Sequence, residues 1–121
     1  MVGIEDFSLN EYQRGFVGGA LEELNAASMP APKPKPRPDG REDHVAVFCW
    51  EIGEARKQAT LSQIEMAKEG DRSALIELMR KTERNARNQA SHLRTPSEQD
   101  AYLRRADTAL GIRRYVGRGI S

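Results

Sequence analysis

The sequence predicts an all-α protein: a three-helix antiparallel unit with an N-terminal helix attached through a polyproline strut. Two observations carry this. Apolar residues recur three and four apart over four separate stretches, the pattern of a helix with one buried face. Residues that cap helix N-termini (Ser8, Asp43, Asp71, Thr95) stand just before those stretches. The boundaries that follow are a helical arm over 1–29, a Pro/Lys-rich linker over 30–43 and a three-helix domain over 44–121.

Ser8 and Glu11 have the spacing of a capping box, which predicts a first helix over 8–27. Phe7 and Tyr12 are placed for a hydrophobic staple. Leu9, Tyr12, Phe16, Val17, Ala20, Leu21 and Leu24 share one half of the wheel, and Gly15, Gly18 and Gly19 fall on the other. Each glycine costs roughly 1 kcal/mol relative to Ala. They are read either as a tolerated weakness in a helix ordered by docking, or as room for close approach by another backbone.

From Pro30 to Pro38 every second residue is proline, with Lys33, Lys35 and Arg37 interleaved. Each ring fixes its own φ and pushes the preceding residue extended, so the segment predicts a polyproline II strut of roughly 28 Å. The spacing contains no P-x-x-P, which disfavours recognition by SH3-like grooves. A strut of this kind holds the first helix away from its own core and frees it to dock on a second copy. Tyr12, Phe16, Leu21 and Leu24 are therefore the expected self-association residues of a homodimer.

The run His44–Trp50 is rich in β-branched and aromatic residues, yet nothing else in the chain offers a strand to pair with it. It is read as the start of a helix over 44–69, capped by Asp43 and ended at Gly70. Val45, Phe48, Ile52, Ala55, Ala59 and Met66 form its main stripe, and Val47, Trp50, Leu61 and Ile64 lie on another side. A helix apolar on two sides is sandwiched between neighbours or shared with a partner. Asp71 then caps a helix over 72–93, with Leu75, Ile76, Leu78, Met79, Ala86, Ala90 and Leu93 in one arc. Thr95-Pro96-Ser97-Glu98 combines a cap residue, proline at the first helical position and Glu three residues on, opening a helix over 96–116. Its apolar side carries Tyr102, Leu103, Ala106, Ala109, Leu110, Ile112 and Val116, and a short mobile tail follows from Arg118.

Inventory argues against catalysis. His44 and His92 are the only histidines, and neither falls in a paired-ligand spacing. Cys49 is the only cysteine, so no intrachain disulfide forms, and beside Trp50 it reads as a small buried hydrophobe. No phosphate-cradling glycine loop is present, and neither a cofactor nor a metal site is expected. The acidic first residues lack the apolar core of a signal peptide, and the longest apolar run, 45–50, is far short of the ~20 residues of a membrane span. The expected location is the cytoplasm, with no membrane contact.

The formal net charge of +1 conceals an asymmetry. Residues 1–29 hold five acids against one arginine, whereas residues 80–118 hold ten basic residues against four acids. That polarity favours contact between the ends of two copies, or an anionic partner for the basic end. Arg80, Arg84 and Arg87 form a ridge on the third helix, and Arg104, Arg105, Arg113 and Arg114 cluster near the C-terminus. With Trp50 as the apolar anchor, these arginines are the expected partner-binding residues. They also permit a second reading, DNA or RNA contact through phosphates, although Glu77, Glu83 and Asp107 dilute the field.

The stretch Glu11-Tyr12-Gln13-Arg14-Gly15-Phe16-Val17-Gly18-Gly19-Ala20, followed by a proline-rich break and an arginine-rich helical remainder, resembles the small accessory proteins of tailed bacteriophages and related mobile elements. The resemblance brings no functional residue with it. It implies a stoichiometric, non-catalytic binder in the host cytoplasm that occludes or bridges a host enzyme, a defence complex or a transcription factor, or else a minor part of the virion.

Overall fold

Short polar side chains cap the starts of the first three helices, and a proline opens the fourth. In the computed structural model, which describes residues 7–118, they are α1 (Glu11–Ala27), α2 (His44–Lys68), α3 (Arg72–Ser91) and α4 (Pro96–Gly117). Asp43 and Asp71 each accept a backbone N–H three residues on, from Ala46 at 3.1 Å and Ala74 at 3.0 Å. Both caps sit where the sequence placed them, and no strand forms among the described residues. Residues 44–50 are helical, as expected. Gly70 takes φ +97°, the left-handed conformation that closes the α2–α3 turn at little cost only for glycine.

Two caps differ from expectation. The box of α1 is closed by Asn10 and Gln13, which exchange hydrogen bonds of 2.8 and 3.0 Å, and not by Ser8 and Glu11. Asn caps as well as Ser, and Ser8 has φ 56°, outside the extended region an N-cap requires. This bend sends Phe7 and Leu9 into the core and leaves Tyr12 71% exposed, so no staple forms. Thr95 makes no side-chain cap bond. Pro96 at the first helical position lacks an N–H to satisfy and is already fixed at a helical φ, while the Gln99 side chain donates to Leu93 O at 2.7 Å.

The core lies among α1, the C-terminal third of α2, and α3 with α4. Leu75, Leu78, Met79, Ile112 and Val116 are fully buried, joined by Val17, Ala20 and Leu21 of α1 and Ile64 and Ala67 of α2. α3 and α4 make the most extensive helix pair. Ala86, Ala90, Ala106 and Ala109 are all buried on these two helices, and small side chains let the backbones come close.

The expected free arm is therefore part of the core. Phe7 is buried beneath the guanidinium of Arg72, 5.7 Å from its ring centre, and Tyr115 donates to Ser8 O at 2.9 Å. Burial of Val17, Leu21, Phe7 and Leu9 outweighs any stiffness in the linker, each large side chain contributing about 1.5–3 kcal/mol. The proline segment is likewise no spacer. It lies as a strap along the first half of α2, turns at Gly40 (φ +82°) and folds back so that Lys33 meets Glu42 at 3.2 Å. Of the mobile tail expected over 118–121, Arg118 is the C-cap of α4, its N–H bonded to Arg114 O, and 119–121 lie outside the described residues, as do Glu5 and Asp6.

Candidate functional site

The strap is held by three side chains of α2. Trp50 Nε1 donates to Ala31 O at 2.9 Å, Glu54 accepts from Ala31 N at 3.2 Å, and Lys57 Nζ donates to Met29 O at 3.2 Å. Ala31 can bond on both sides because it is the one residue between Pro30 and Pro32 that has an N–H. A hydrogen bond from Lys57 holds the Glu54 carboxyl below its ordinary pKa, helped by the Ala31 N–H and the Lys57 charge and opposed by desolvation. Trp50, expected as the anchor for a partner, is thus engaged within the chain. Glu54 and Lys57 were missed; their three-residue spacing beside Trp50 was the available signal.

The opposite side of α2 faces water. Val45 is 70% exposed, Phe48 63% and Met66 45%, and Ile52, Ala55 and Ala59 are exposed with them. Expected as the main packed stripe, it is the outer one. The residues that pack inward are Thr60, Ile64 and Ala67, with Leu61 half-buried against the core. The turn at Gly70 and the strap settle which side is covered, and neither is visible in the helical period. Cys49, expected to be buried, is exposed on the edge of this stripe.

Five of the seven arginines expected to meet a partner are paired within the chain. Arg80 pairs with Glu77, Arg104 with Asp100 at 2.8 Å, and Arg105 with Glu23. Glu83 serves both Arg113, at 3.0 Å, and Arg87, at 3.6 Å, and Arg87 also lies 3.5 Å from Asp107. Helical spacing brings Glu77, Glu83 and Asp100 beside Arg80, Arg87 and Arg104, and the fold brings Glu23 to Arg105, Asp107 to Arg87 and Glu83 to Arg113. Arg84 and Arg114 are exposed without an acidic partner among the described residues. The charge asymmetry of the ends is met partly inside one molecule, where α1 presents Glu23 to α4.

Of the expected self-association residues, Leu21 is buried and Phe16 and Leu24 pack against the same core; only Tyr12 is exposed. The three glycines of α1 have nothing within 4 Å of where a Cβ would stand, so no other described helix of the chain uses them for close approach.

Where α1, α3 and α4 diverge they leave a groove of about 410 Å³. Ala20, Leu24, Ala27 and Ala86 give it apolar walls; Asn85, Gln89, Tyr102 and the Arg105–Glu23 pair give it polar groups. Tyr102 and Leu103, expected on the packed side of α4, are exposed. Among the described residues no group of three or more His, Cys, Asp or Glu is disposed to hold a metal ion, and His44 lies on the surface 3.7 Å from Glu42. No helix among them is long and apolar enough to cross a membrane. Comparison with protein-family models, curated proteins and solved structures finds no match to this chain.

Proposed function

We propose that the chain is a non-catalytic binding protein of phage type that occludes or bridges a protein target, received at the groove between α1, α3 and α4. The observation that carries this reading is the groove itself: apolar walls beside converging polar groups at an open mouth, the composition of recognition sites. Tyr102 takes the anchoring role that Trp50 gives up to the strap, since an exposed tyrosine combines a large apolar ring with a polar tip. Arg105, fixed by Glu23, orients the rim.

Capture from host lysate by the immobilised chain tests it. One protein is retained stoichiometrically by the wild type and lost with Tyr102→Ala or Asn85→Lys, both exposed positions whose change leaves the helices intact. Equal retention by the variants overturns the reading. Nucleic-acid binding is the weaker reading, because internal pairing engages five of the seven arginines expected to meet phosphates. It requires retention on heparin or duplex DNA that falls steeply between about 50 and 200 mM salt.

A further inference from the structure

The exposed stripe of α2 has a stricter period than its burial requires. Val45, Ile52, Ala59 and Met66 recur every seven residues, and Phe48, Ala55 and Ser62 fall three after the first three of them. This is the a/d spacing of a coiled coil over three heptads, with Ser62 its one polar position. All seven positions are exposed, and the strap and the core lie on the other side of the helix.

The flanks identify the partner. Seven-residue numbering puts Glu51, Gln58 and Glu65 on one flank and Cys49, Arg56 and Gln63 on the other. Two parallel copies in register bring each flank against the opposite flank of the neighbour, pairing Glu51 with Arg56. An antiparallel pair instead sets like flank against like, Glu51 and Glu65 facing the same acids. Glu51 and Arg56 are exposed, and neither forms an ion pair among the described residues, whereas Glu54 and Lys57 on the strap side pair at 3.0 Å. Five residues apart, Glu51 and Arg56 point away from each other within one helix and meet only between two.

We infer that α2 pairs with α2 of a second copy as a parallel, in-register, two-stranded coiled coil, with Val45, Phe48, Ile52 and Met66 at its centre and two Glu51–Arg56 contacts at its edges. The large side chains leave about 400 Å² exposed per copy, taking ~150–250 Å² for each when fully exposed. Two copies with their flanks approach the ~1,200 Å² at which specific interfaces begin, the size of a weak, concentration-dependent association. Ala55 and Ala59 admit close approach, and the mismatch between a 3.6-residue turn and the 3.5-residue repeat is absorbed by a shallow left-handed crossing. The inference stands apart from the groove between α1, α3 and α4, which pairing through α2 leaves open.

Light scattering with size exclusion, run over a concentration series of the full chain, reads the mass. The expected result is a shift from 13.6 kDa toward twice that value, abolished by Ile52→Asp with helical content unchanged. Glu51→Arg and Arg56→Glu singly weaken the dimer about 5- to 10-fold, and the two together restore it to within about 2-fold, the range expected for exposed charge pairs. Phe48→Cys in a Cys49→Ser background forms an interchain disulfide under mild oxidation, because parallel register sets the two 48 positions side by side. A 13.6 kDa species at every concentration up to the millimolar range overturns the inference. A dimer that neither cross-links at 48 nor responds to the charge exchange overturns it equally.

Discussion

The α3–α4 hairpin and residues 44–59 of α2 are built from similar stripes of apolar residues and treat them in opposite ways. In the hairpin, Leu75, Leu78, Met79, Ile112 and Val116 are sealed, and four buried alanines close the seam. In the first half of α2 no side chain is fully buried, and the most regular stripe in the chain faces water. Periodicity fixes which residues share a face. It does not fix which face is covered, because that depends on where the chain turns at Gly70 and on what Trp50, Glu54 and Lys57 hold.

The sharpest break between the two regions comes from truncation. Leu78→Ala removes a sealed side chain and costs about 2–5 kcal/mol, whereas Phe48→Ala stays within about 0.5 kcal/mol, both read by urea unfolding at dilute concentration. A penalty at Phe48 comparable to that at Leu78 would erase the distinction. Overfilling gives the next effect: Ala106→Leu pushes the hairpin apart at a cost of about 1–3 kcal/mol, and Ala55→Leu on the outer stripe costs nothing measurable.

The strap comes third. Trp50→Phe loses the bond to Ala31 O, about 0.5–1.5 kcal/mol, and is expected to speed amide exchange and proteolysis over 30–43 without altering exchange in α3. A smaller change runs the other way. Gly15→Ala and Gly19→Ala each stabilise by about 0.5–1 kcal/mol in thermal melts, since both sit in open space inside a helix.

The smallest effect is that of pH. Because the Glu54 carboxyl is held below its ordinary value, its contribution to strap docking is complete above the ordinary carboxylate range and is lost as pH falls through the lowered value. Trp50 fluorescence followed down an acid titration should report strap release, and Glu54→Gln should flatten that titration.

Much of the secondary structure could be read in advance. Asp43, Asp71, Pro96 and Gly70 mark ends through local chemistry that needs no tertiary context, and the observed helices begin or end beside them. Ser8 misled because Asn10 is an equal cap two residues on, and the choice rests on Phe7 and Leu9 both finding the core. The arginines were legible as a surface but not as a set of pairs. Glu77, Glu83 and Asp100 lie within one helical turn of Arg80, Arg87 and Arg104, whereas Glu23 and Asp107 reach Arg105 and Arg87 from another helix. Trp50 looked free for a partner because nothing in the residue order tells that a proline strand will fold back beside it.

The outward stripe of α2 owes almost nothing to the stability of the chain that carries it. Residues there can be exchanged one at a time with no folding penalty to be repaired elsewhere, whereas any change at Leu75, Leu78 or Ala109 must be answered by its neighbours. Selection is thus free to rewrite that surface while the scaffold stands still. Descendants of the chain are expected to diverge first at the outward positions of α2, such as 45, 48, 52 and 66, and last along the hairpin that follows.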